Sequence, residues 1–139
     1  MQQWLLYSIL ALLTWGVWGF LPKVALGFLE PGTAFVFEAL GGASTGLLFM
    51  LILRPRLAGA PIMGIIPAFF TGVLGYLGLI FFMYAVRQAD KISIVAPLTA
   101  LYPIVTIALA LIFLEEKINM VQFVGIVLAL ISIFLISYQ

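Results

Sequence analysis

Residues 61–91 read PIMGIIPAFFTGVLGYLGLIFFMYAVRQADK. From Pro61 to Val86 no side chain carries a charge, and only Thr71, Tyr76 and Tyr84 bring a hydroxyl. The run then stops on Arg87-Gln88-Ala89-Asp90-Lys91. About 20 apolar residues cross a ~30 Å hydrocarbon core as a helix. The stretch 61–86 therefore predicts a membrane span with length to spare for tilt or a kink at Pro67. A β-barrel strand would alternate apolar and polar residues over about ten positions, and this run is apolar on every face.

The same pattern repeats outward in both directions. Upstream punctuation falls at Glu30-Pro31-Gly32 and from Arg54-Pro55-Arg56 to Pro61; downstream it falls at Glu115-Glu116-Lys117-Ile118-Asn119. The expectation is an all-α membrane protein, a bundle of five transmembrane helices over about 4–29, 32–53, 61–86, 92–114 and 119–138. They form one domain, 1–139. Short turns make neighbouring helices antiparallel, and an odd number places the N- and C-termini on opposite sides. Pro22 can kink the first helix, and Pro97 and Pro103 the fourth.

Composition agrees. Of 139 residues, 65% are hydrophobic and 8% charged, with a mean hydropathy of +1.31. Soluble domains carry about 25% charge, so too little polar surface exists here to face water. A net charge of +1 offers nucleic acid no basic surface. Histidine and cysteine are absent. Their absence removes disulfides, imidazole and thiolate metal sites and cysteine or histidine catalysis. No metal, cofactor or enzymatic activity is expected. No basic residue precedes Lys23, so the first segment is expected to be a retained helix and not a cleaved leader.

Orientation follows the Lys/Arg imbalance between short loops. The N-terminal side receives Arg54, Arg56 and Lys117; the other side receives Arg87, Lys91 and, if it reaches the interface, Lys23. The tally is 3 against 3, or 3 against 2 if Lys23 stays within the bilayer. Such balance suggests that both orientations are made. The alternative is a weak bias resolved by the insertion machinery or a partner.

Most charges have an ordinary interfacial reading, and Glu116 is a candidate cap for the fifth helix. Lys23 and Glu38 lie deeper. Each is seven residues from the turn Glu30-Pro31, roughly 10 Å down two antiparallel helices. A lone charge there costs at least ~2.5 kcal/mol on insertion scales, so a partner or a wet cavity is expected. Two readings stand: an ion pair pinning the first two helices, or a site for substrate charge or proton coupling. Trp15 and Trp18 lie on the segment leading to Lys23, and they either pack or stack on organic substrates, cations included. Tyr76, Tyr84 and Tyr102 are further cavity candidates. Trp4, Tyr7 and Tyr138 sit where interfacial belts do. Small residues suggest packing seams at Gly42/Gly46, Ala68/Gly72, Gly72/Gly75/Gly78 and Gly125/Ala129. Ser93, Thr99 and Thr106 are expected to satisfy backbone groups freed by the prolines.

The run Ala85-Val86-Arg87-Gln88-Ala89-Asp90-Lys91, with Val95-Ala96-Pro97-Leu98 and Tyr102-Pro103-Ile104, resembles the EamA-type repeat of the drug/metabolite transporter superfamily. Leu114-Glu115-Glu116-Lys117, followed by Gln122 and Gly125, is similar too, as is the opening helix with Trp15-Gly16 and Lys23. The resemblance implies a single five-helix repeat of a fold that typically holds two inverted ones. Small multidrug resistance proteins are related four-helix proteins with a key Glu in their first helix. Here that helix has no acid before Lys23, and Glu38 lies in the second, so their coupling site does not carry over.

Inverted repeats place a substrate site near the midplane and alternate access by rocking one half on the other. The resemblance and the charge balance together imply an antiparallel, dual-topology homodimer that transports small organic metabolites or drugs. Gly125 and Ala129 are candidate dimer contacts. The expected partners are the lipid bilayer, an inverted second copy or a paralogous chain, and a small organic solute. The expected location is the prokaryotic cytoplasmic membrane. Alternatives are half of a heteromeric transporter, a lipid-linked-sugar flippase and a non-transport structural subunit.

Overall fold

The structure, a computed structural model, describes residues 3–89 and 91–137. The turn acid Asp90 and the belt residue Tyr138 lie outside the described residues. All regular structure among the described residues is helical: α1 (Gln3–Ala25), α2 (Pro31–Leu53), α3 (Ile62–Gln88), α4 (Ile92–Thr99), α5 (Tyr102–Phe113) and α6 (Met120–Ser137). Four stretches are long and apolar enough to cross a membrane: α1, α2, α3 and the interrupted span Ile92–Phe113. The apolar stretch of α6, Met120–Ile136, is shorter. The chain is an integral membrane protein of α-helical type. The helices divide into two compact units, Met1–Gln88 and Ala89–Gln139.

In the first unit α3 packs against both α1 and α2. The buried apolar side chains gather where the turn between α1 and α2 meets the C-terminal part of α3. They are Leu26, Ala34, Leu79, Phe82, Met83 and Val86, joined by Pro22 and Pro31. Arg87 ties that end together. Its Nη1 donates to the Leu26 carbonyl at 2.7 Å, and Nη2 lies 3.6 Å from Glu30 Oε1. The carbonyl bond satisfies a backbone group that the end of α1 leaves open. The ion pair adds little, because both side chains are largely exposed.

Elsewhere large apolar side chains such as Leu12, Leu51 and Phe69 are exposed. Lipid is the solvent that makes this stable. Within the spans the hydroxyls of Ser8, Thr14, Ser44, Thr45 and Thr71 each donate to the carbonyl four residues back, so none needs water. The connection between α2 and α3 uses left-handed backbone at two positions. Arg54 closes α2 at φ 45°, its N–H bonded to the Met50 carbonyl, and Gly59 has φ 80°, a conformation glycine adopts at no steric cost.

α1 ends at Ala25, four residues short of the expected boundary. The chain then turns through Leu26–Leu29, with Gly27 N–H bonded to Val24 O and Phe28 N–H to Ala25 O.

In the second unit α4 packs against α6. The expected fourth helix is two helices, broken at Ala100–Leu101. Pro103 has no N–H to offer the Thr99 carbonyl, so the i to i−4 ladder stops there. Leu101 N–H turns to Leu98 O and Ile104 N–H to Leu101 O, both three residues back. The Thr99 hydroxyl bonds the carbonyls of Val95 and Ala96, and that of Thr106 bonds Tyr102 O. These are not the carbonyls of Ser93 and Thr99 that the two prolines free.

The start of α6 is capped by Asn119, where Glu116 was the expected cap. Asn119 N–H donates to Gln122 Oε1 at 2.8 Å, and Gln122 N–H donates to Asn119 Oδ1 at 2.9 Å. This reciprocal pair is a capping box. Glu115 closes α5 at φ 54°.

Candidate functional site

The first unit contains an open cavity of about 510 Å³. Trp18 enters it from α1, Glu38, Gly41 and Gly42 from α2, and Thr71, Gly72, Gly75, Tyr76 and Leu79 from α3. Helical spacing explains the set. Positions 38, 41 and 42 share one face of α2, and 71, 72, 75, 76 and 79 share one face of α3. Four of the nine lining residues are glycine, so the walls stand back and leave room.

Those glycines do not act alike. A Cβ at Gly41, Gly72 or Gly75 would meet nothing within 4 Å. A Cβ at Gly42 would collide with the Tyr76 hydroxyl. Gly42 is thus the point of close approach between α2 and the Tyr76 side chain, while Gly72 and Gly75 face open space. Of the expected seams Gly42/Gly46 and Gly72/Gly75/Gly78, only Gly42 meets a neighbouring helix among the described residues, through Tyr76 of α3. Gly46 and Gly78 also have nothing within 4 Å of a built Cβ.

The polar groups are few and placed. Trp18 Nε1–H donates to Glu38 Oε1. The Trp18 ring stacks on Phe82, with centroids 5.8 Å apart and planes 21° apart. Tyr76 and Phe35 form a T-shaped pair, at 6.0 Å and 88°. The Thr71 hydroxyl is occupied by the Pro67 carbonyl at 2.9 Å. Glu38 is half-buried and is the only formal charge on the cavity wall among the described residues. An apolar cavity with one carboxylate and two aromatic side chains suits an organic cation better than an anion, which the carboxylate would repel.

Of the residues expected from sequence, the structure brings Trp18, Glu38 and Tyr76 together. Trp15 and Lys23 do not line the cavity. Trp15 is exposed on α1. Lys23 is half-buried in the last turn of α1, where the helix dipole favours a cation. Among the described residues the Glu38 carboxylate meets Trp18. Trp18 lies seven residues before the end of α1 and Glu38 seven residues after the start of α2, so Trp18 is the one at Glu38's depth. Tyr102 opens α5 in the second unit and is exposed. Gly125 and Ala129 lie exposed on α6. Phe82 was missed. Its signal was its position four residues before Val86 on the end of α3 that carries Met83, but periodicity is silent in a helix apolar all round.

No cluster of groups able to hold a metal ion is present among the described residues. The second unit has its own apolar groove of about 410 Å³, lined by Leu98 and Leu101 and by Leu130, Ile131, Ile133 and Phe134 of α6.

An uncharacterized protein of Methanocaldococcus jannaschii is 40% identical over 70 residues, which is half of this chain and half of that protein's own length. No solved structure matches the chain significantly. The model of the EamA-like transporter family matches residues 2–138, nearly the whole of the sequence, and the chain belongs to that family.

Proposed function

We propose that the protein is a secondary transporter of small organic solutes, with organic monocations the class its cavity suits best. The cavity of Trp18, Glu38 and Tyr76 is the observation that carries this reading. A solute's apolar body lies against the aromatic rings and glycine walls, and its charge meets Glu38. The same carboxylate serves as the coupling group if a proton takes the solute's place.

The working unit is an antiparallel homodimer of copies inserted both ways. The near-even distribution of Lys and Arg supports it. Two inverted copies supply the pair of repeats between which access alternates. The exposed α6 positions Gly125 and Ala129 are the proposed contact. The prokaryotic cytoplasmic membrane is the proposed location.

A thermal-shift screen of the purified protein against amines, amino acids, nucleosides and organic acids tests the solute class. Ligands that bind the native state raise its melting temperature. Amines are expected to do so and organic acids are not. Stabilisation by organic acids alone would overturn the assignment of solute class.

A further inference from the structure

We infer that Trp18 is the positioning residue of this site, holding the Glu38 carboxylate to one wall of the cavity through its indole N–H. The inference rests on the transport reading for what the carboxylate does, but not for the contact itself.

Three observations meet at Trp18. Its Nε1–H donates to Glu38 Oε1. Its ring lies against Phe82, which is only 7% exposed and belongs to the packed end of the unit. Its place on α1, seven residues before the helix ends, matches Glu38's place on α2. An indole N–H donates and never accepts. It therefore occupies one carboxylate oxygen and leaves the other to serve a solute ammonium or a proton. Glutamate has three side-chain torsions, and a half-buried one facing an open cavity needs an external restraint to present its charge in one place. Phe82 restrains Trp18, and Trp18 restrains Glu38. That chain carries the rigidity of the packed end into the cavity.

The three tryptophans make the contact directly visible. Indole N–H groups give one NMR cross-peak each, so the protein in micelles should show three. Trp18→Phe identifies one by its loss, while the ring keeps its stack on Phe82. In Glu38→Ala that same peak should move upfield and exchange faster with water. Glu38→Gln, which keeps an acceptor but not the charge, should give a smaller shift. The peaks of Trp4 and Trp15 should stay in place in all variants, which reports that the fold is intact. A Trp18 peak that ignores Glu38→Ala, with the other two unmoved, would overturn the inference.

The functional arm uses phenethylamine, a monocation with one aromatic ring, in proteoliposomes. Trp18→Phe should raise KM about tenfold, the scale of a lost hydrogen bond to a charged group, and change the maximal rate far less. A structural loss would lower the maximal rate with the amount of folded protein and leave KM alone, and an unchanged KM would overturn the positioning role. Absence of phenethylamine flux in the unaltered protein, with the indole peak still answering to Glu38, would count against the transport reading and leave the Trp18–Glu38 assignment standing.

Discussion

Single residues set the cavity's dimensions, and two glycines show how. At Gly42 a methyl group would run into the Tyr76 hydroxyl. Tyr76 must then swing aside, and overpacking of this kind costs ~1–3 kcal/mol. Gly42→Ala should lower the melting temperature in detergent. Tyr76→Phe removes the atom in closest conflict, so the double variant should be more stable than the sum of the two changes predicts. Strict additivity would mean that the two residues do not touch. At Gly75 a methyl group meets nothing. Gly75→Ala should melt no lower than the parent, while Gly75→Leu should fill the cavity and weaken solute binding without unfolding the protein. The residue scale was only partly legible in the sequence. Glu38 stood out because a carboxylate is costly in a span. Its partner did not, because Lys23 offered an obvious charge and the true depth of each group depended on where α1 ends. That end is set by backbone turns at Leu26–Leu29, which no side-chain pattern marks among so many apolar residues.

The helices themselves were legible, since each is bounded by charges, prolines or both. The break within the fourth span was half visible: Pro97 and Pro103 announced a kink, but not that the ladder would stop at Thr99. Pro103→Ala restores an N–H that can bond the Thr99 carbonyl. Amide exchange across 100–104 should slow as α4 and α5 become continuous; unchanged exchange would place the cause of the break elsewhere. The cap of α6 was also present in the sequence, as Asn119 followed three residues later by Gln122. Glu116 was the less suitable choice, because it lies four residues before Met120, beyond the first turn of α6. Asn119→Ala should cost ~1 kcal/mol, and adding Gln122→Ala should cost little more, since the two bonds form one reciprocal unit. Arg87 shows a similar shift from sequence to structure. A headgroup anchor by composition, it closes the packed end of the first unit by bonding Leu26 O. Arg87→Ala should speed amide exchange in the α1–α2 turn, whereas Glu30→Gln should change stability by less than ~1 kcal/mol.

At the scale of the whole molecule, hydropathy pointed to the membrane class, and the match over residues 2–138 established the family that the densest motifs suggested. The cavity was not readable at that level, because helices apolar on every face do not announce which faces meet. Topology is the next property to measure. Reporter fusions at the C-terminus should show activity on both sides of the membrane if both orientations are made, and activity on one side only would replace the inverted homodimer with a pair of different chains. The account's central claim is narrower: the carboxylate of Glu38, held in the cavity of the first unit, receives the solute. Phenethylamine uptake into proteoliposomes, compared between the unaltered protein and Glu38→Gln at equal amounts of folded protein, tests it most directly. Saturable uptake that falls at least about tenfold in the variant is the expected result. Equal uptake by the two proteins would contradict it.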